Sequence, residues 1–141
     1  MRVLIAMDGS KFSQSALDSV KRRTWPDGSE FLLYSVVEPL IPEIGGWVST
    51  DLIQEQTDIL EAQTKEFRLL MPQHKITFEV SKGNASDEIV KTADEWDADF
   101  IVMGSHGRRG MDHFVLGSVA ESVVNKSNCS VEVIKARQKK N

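Results

Sequence analysis

The 141 residues contain a single cysteine, Cys129, so no disulfide can form within the chain. That scarcity fits a reducing compartment, and Cys129 itself reads as a small buried apolar residue. No apolar run approaches the roughly 20 residues that a membrane-spanning helix needs. The apolar stretch at residues 3–7 is too short for a secretory signal, and no cleavage region follows it. A soluble, cytoplasmic protein without membrane contact is expected. Basic charge is also short: 17 Lys and Arg stand against 21 Asp and Glu, a net charge of −4. Such a balance argues against nucleic acid as the partner. His74, His106 and His113 lack metal-ligand spacing with one another or with Cys129. No histidine lies beside a convincing serine or cysteine nucleophile. Nothing matches the G-x-x-x-x-G-K-[ST] phosphate loop. After the first strand the chain has Asp8-Gly9-Ser10 rather than G-x-G-x-x-G. The P-loop enzymes and the standard dinucleotide binders are thereby excluded.

What is present is an alternation of apolar patterns. Residues 3–7 form a continuous apolar run, the mark of a strand buried on both faces. Ser10 or Ser13 can cap a following helix whose inner face carries Phe12, Ala16, Leu17 and Val20. Residues 30–37 read as a second strand. The loop after it holds Pro39, Pro42, Gly45, Gly46 and Trp47, and either covers a ligand or partner or packs its own side chains on the body. A long helix is expected over residues 51–71, with Asp51 as a candidate cap. Its stripe of Ile53, Leu60 and Phe67 extends through Leu70 and Met71. The third strand, residues 75–81, alternates in the manner of a sheet edge. A helix capped by Asn84 or Ser86 runs to Trp96. A strand at residues 100–103, a helix from Ser118 to about Lys126 and a strand at residues 130–134 complete the order. Strictly alternating strands and helices predict an α/β fold: a parallel sheet with helices on both faces, in a single domain over residues 1–141.

One stretch departs from this regularity. Gly104-x-x-Gly107, nine residues and Gly117-Ser118 join the fourth strand to the last helix. Gly104 and Gly107 are expected to turn with positive φ and to let the backbone approach a ligand. Gly117 and Ser118 stand at a helix start, where unpaired amides and the dipole favour a phosphate. Ser118 is also a good N-cap. The simpler reading is that these glycines shape two turns. In an open parallel sheet the ligand lies beyond the carboxyl ends of the strands, where both Asp8 and Gly104–Gly107 fall. Asp8 there either faces a ribose or a phosphate-bound cation, or serves as a turn carboxylate.

With these motifs the chain resembles the universal stress protein family over nearly its whole length. Val3-Leu4-Ile5-Ala6-Met7-Asp8-Gly9-Ser10, residues 98–107 and residues 117–123 carry the likeness. The spacing of Gly104, Gly107, Gly117 and Ser118 matches the family's ATP-binding branch. The resemblance implies a Rossmann-like open sheet of five strands in the order 3-2-1-4-5. It implies ATP, with magnesium, as cofactor. Asp8 would approach the ribose or the cation, and the main chain of Val36 would meet the adenine edge. Ala6, Met7 and Met103 would line the base and ribose pocket. Gly107, Gly117, Ser118 and Val119 would hold the phosphates. Arg108 is placed by its charge, either near the triphosphate tail or as a solvated loop cation. A homodimer through the fifth strands is also implied.

The resulting expectation is an ATP-binding regulatory protein of the stress response. Slow hydrolysis stays open, but no positioned base or water-orienting residue of a phosphoryl-transfer enzyme is evident. A nucleotide-free module that binds an unidentified protein partner, partly through the Trp47 loop, is the alternative. An adenylating enzyme of the related α-hydrolase type is a third. On the first reading, Gly117→Val abolishes ATP binding with little loss of fold.

Overall fold

The computed structural model describes residues 1–39, 50–107 and 115–136. Nine elements follow in chain order: β1 (Arg2–Ala6), α1 (Lys11–Lys21), β2 (Glu30–Val37), α2 (Thr50–Leu70), β3 (Lys75–Lys82), α3 (Ala85–Glu95), β4 (Phe100–Gly104), α4 (Ser118–Lys126) and β5 (Ser130–Ile134). The strands form one sheet in the order β3-β2-β1-β4-β5, and every neighbouring pair is parallel. β3 is an edge strand, as its alternation predicts. The Trp47 loop and the tail beyond Ala136 lie outside the described residues.

Period-two alternation divides the core. Val3, Ile5, Phe31 and Leu33 point to one face, where Leu17 of α1 and Leu60 and Phe67 of α2 meet them. Leu4, Leu32, Tyr34 and Ile101 point to the other, against Ile89 of α3 and Val123 of α4. Both faces of the central strands are thus sealed, which is why β1 carries no polar residue beyond Arg2. Each fully buried Leu, Ile or Phe contributes about 1.5–3 kcal/mol relative to an exposed one. On α2 the buried residues fall at Leu60, Thr64 and Phe67, with Met71 just past the helix end. That three-and-four spacing leaves Leu70 off the stripe. It is 59% exposed, against the expectation that it extends the core face. Cys129 is partly exposed, packed against the α3–α4 side of the core rather than sealed within it.

The caps explain where the helices begin. Ser10 caps α1, its hydroxyl accepting from the Ser13 amide at 3.1 Å. Asn84 caps α3, accepting from the Asp87 amide at 3.1 Å. Asp51 lies inside the first turn of α2 rather than before it.

At the amino ends of three adjacent strands, register places Arg2 opposite Glu30 and Glu30 opposite Lys75. Arg2 Nε donates to the Glu30 carboxylate at 2.9 Å, and Lys75 Nζ lies 3.4 Å from its other oxygen. The hydrogen bond from Arg2, then that from Lys75 and the charge of both cations, holds the Glu30 carboxyl below its ordinary range against a smaller opposing effect of desolvation. A depressed carboxyl pKa stabilises the fold above the unfolded-state value and loses that contribution as pH falls through the folded-state value. Glu30→Gln is therefore expected to be less stable than wild type near neutrality, by a small margin because the triad is solvated. The gap should close as acid is added, in urea denaturation followed at a series of pH values.

Candidate functional site

β1 and β4 lie side by side in mid-sheet, yet the helices that follow them pack on opposite faces. Such a reversal leaves a crevice beyond the carboxyl ends of the strands. A cavity of about 390 Å³ lies there, within the range of small-molecule sites. From β1, its following turn and β2 come Ala6, Met7, Asp8 and Val36. From β4, its loop and α4 come Met103, Gly104, Gly107 and Val119. Eight of the expected residues are thus brought together. Gly117 and Ser118 immediately precede Val119 and are not themselves in the lining. Arg108 lies outside the described residues.

The turn after β1 is built on Asp8. One carboxylate oxygen accepts from the Ser10 amide at 2.9 Å, so the turn role is real. The other oxygen points across the crevice, 3.2 Å from where a Cβ on Gly107 would stand. The turn reading of Asp8 is thus met by one oxygen, while the other faces the crevice. Gly9, between Asp8 and the cap, has φ +79°, a conformation that favours glycine.

The motif glycines behave differently from expectation. Among the described residues, positive φ occurs at Gly9, Gly28 and Gly83 and at Asp97, not at Gly104 or Gly107. Gly104 is small because α1 is close: a Cβ would lie 2.6 Å from the main-chain carbon of Phe12. A Cβ on Gly117 would lie 3.1 Å from the Ser105 carbonyl oxygen and from His106 Cα. Gly117→Val therefore presses on the Ser105–His106 main chain as well as on any ligand, so the expectation of little loss of fold depends on that main chain giving way by a few tenths of an ångström. The Gly117 amide is not open either, since it donates to the Ser105 carbonyl at 2.8 Å. Gly117, not Ser118, is the N-cap of α4, and among the described residues no side-chain cap hydrogen bond is made there. Ser118 is its first helical residue. The first turn, Ser118 to Ala120, carries the amides that a helix leaves without internal partners, and Val119 and Ala120 reach the crevice.

Sequence reasoning missed several wall residues. Gln56 enters from α2, and Tyr34 and Ser35 from β2. Glu38 closes the start of α3 by accepting from the Ala85 amide at 3.0 Å. None carries a local signal, because the sheet order alone brings them here. The sequence marks His106 as lacking metal-ligand spacing and as lying within the 98–107 stretch. It does meet a hydroxyl, with Ser105 Oγ 2.9 Å from Nδ1. Ser105 is 3% exposed, so the pair has no access to a substrate carbonyl. Among the described residues no group of three or more His, Cys, Asp or Glu could hold a metal ion, and no helix is long and apolar enough to cross a membrane.

Comparison with known proteins agrees with this architecture. The family model described as the universal stress protein family matches residues 1–135. Universal stress protein MJ0531 of Methanocaldococcus jannaschii is 33% identical over 144 residues, covering 98% of this chain and 84% of that protein. The solved structure of hypothetical protein MJ0577 from the same organism superimposes with a TM-score of 0.85 at 30% identity, covering 98% of this chain and 97% of the other. A universal stress protein in complex with cAMP superimposes with a TM-score of 0.71 at 21% identity, over 95% and 96% of the two chains.

Proposed function

The chain belongs to the universal stress protein family, and from that premise we propose that its crevice binds an adenine nucleotide, ATP in the first place, as a regulatory signal in the stress response. The observation that carries the proposal is the gap between Gly107 and Asp8. Among the described residues, only the Asp8 carboxylate comes within 4 Å of the missing Gly107 Cβ, and α4, whose N-cap Gly117 supplies no side-chain hydrogen bond, reaches the same crevice through Val119 and Ala120. Phosphates there would meet the first-turn amides of α4 and its positive dipole end. Gly107, Ser118 and Val119 would hold them, with Gly117 shaping the approach to α4 rather than donating its engaged amide, while Ala6, Met7 and Met103 would pack against base and ribose. The Val36 main chain would read the adenine edge. The cAMP complex of a relative supports the choice of an adenylate.

Asp8 fits a magnesium ion shared with the phosphates. Magnesium is usually bound through one or two carboxylates plus substrate phosphates, and the Asp8 carboxylate beside a polyanion needs a cation to offset repulsion. Bound nucleotide would regulate by favouring one conformation or assembly in proportion to its differential affinity. A homodimer is the proposed assembly. β5 ends the sheet, and a second copy can add to such an edge.

Protein purified under native conditions is expected to release an adenine nucleotide on denaturation, read by mass spectrometry. Calorimetric titration of the stripped protein should show ATP binding, with AMP and cAMP as competitors. Protein that is clean as purified and silent toward all three would favour the nucleotide-free module.

A further inference from the structure

His106 has no part in the reading so far, yet its ring is engaged at both nitrogens. Nε2 stands 2.6 Å from the carbonyl oxygen of Val115. A carbonyl only accepts, so Nε2 carries the proton and donates. Nδ1 is then the acceptor for the Ser105 hydroxyl at 2.9 Å. The Phe12 ring of α1 lies against the imidazole, with centroids 5.2 Å apart. His106 also lines the crevice. The ring thus bridges the chain just before residue 108 to the chain just after residue 114. A main-chain bond from the Gly117 amide to the Ser105 carbonyl runs alongside it at 2.8 Å.

We propose that His106 is a positioning residue for the phosphate end of the site. Its imidazole latches the G-S-H-G turn to the approach of α4 and so sets the opening between Gly107 and the first turn of that helix. The inference rests on the nucleotide reading above. The chemistry suits histidine: one rigid ring offers a donor and an acceptor on separate edges, and neither Lys nor Arg can accept. Holding the two sides together beforehand removes an ordering cost that binding would otherwise bear. The gain falls on ligands that use the opening, hence on phosphates rather than on the base.

The test compares wild type with His106→Ala, His106→Gln and His106→Asn, by amide hydrogen exchange without ligand and by calorimetry with ATP and with adenosine. In His106→Ala the Gly117 amide should exchange faster. The Kd for ATP should rise about tenfold, while that for adenosine stays within about twofold of wild type. The Gln amide can still reach the Val115 carbonyl, so His106→Gln should restore ATP affinity to within about threefold. The shorter Asn falls short of Val115 and should behave like Ala; this pair carries the test if His106→Ala does not fold. Unchanged exchange, unchanged ATP affinity, or equal losses for ATP and adenosine would each overturn the assignment. Wild-type protein that binds neither ligand would overturn the nucleotide reading instead, leaving the exchange data to judge the latch.

Discussion

Gly104→Ala is expected to lower the thermal midpoint by about 10 °C, a loss on the order of 3 kcal/mol. One methyl group has so large an effect because of where it would go. The added Cβ would lie 2.6 Å from both the main-chain carbon and the Cβ of Phe12, and 2.8 Å from its carbonyl oxygen. Two of these atoms are backbone in the first turn of α1, so no side chain can swing aside. Relief requires moving α1 off β4, and α1 is seated by Ala16, Leu17 and Val20, all fully buried. Interiors are close-packed and pass such a shift on to their neighbours. Circular dichroism melts would check it. A variant that melts within about 2 °C of wild type would show that α1 does not sit this close to β4.

That result would separate two meanings of one motif. From the sequence, Gly104, Gly107 and Gly117 share one explanation, the approach of a ligand. In the structure Gly104 lines the crevice but owes its lack of a side chain to helix packing, Gly117 leaves room for the Ser105–His106 main chain, and at Gly107 an added Cβ would meet, among the described residues, only the Asp8 carboxylate. Local pattern shows that a glycine is needed; it does not show which atoms crowd it, because Phe12 is 92 positions away from Gly104. The strands were legible for the opposite reason. β2 and β5 are marked by apolar residues within a few positions of one another, and their limits at Glu30–Val37 and Ser130–Ile134 coincide with the expected ones. Parallel pairing followed from the alternation of elements, whereas the order β3-β2-β1-β4-β5 came through family resemblance. Gln56 and Tyr34 were invisible as site residues, since nothing in α2 or β2 marks which residues overhang the crevice. His106 was visible as a histidine without metal-ligand spacing and as part of the 98–107 stretch. Its partner Val115 lies nine residues on and contributes a carbonyl, which no side-chain pattern encodes.

Gly107→Val, by contrast, is expected to leave the fold intact and to weaken ATP binding by about 100-fold, close to 2.7 kcal/mol. The backbone at Gly107 is outside the positive-φ region, so a branched side chain meets no such strain there. Among the described residues, the first added carbon would meet only the Asp8 carboxylate within 4 Å, at 3.2 Å. Gly107 lines the crevice, and the two further methyl groups are expected to extend into it, toward Asp8 or toward the start of α4. Either direction fills space proposed for phosphate and displaces the carboxylate proposed to share its cation. Gly107→Ala should fall between, because the Asp8 side chain is partly exposed and can yield by a few tenths of an ångström. Thermal melts within about 2 °C of wild type, together with a flat calorimetric trace at ATP concentrations that saturate wild type, would meet the expectation. Undiminished ATP affinity in a folded Gly107→Val protein would place the phosphates elsewhere, since a valine at this position and a polyanion opposite Asp8 cannot occupy the same volume.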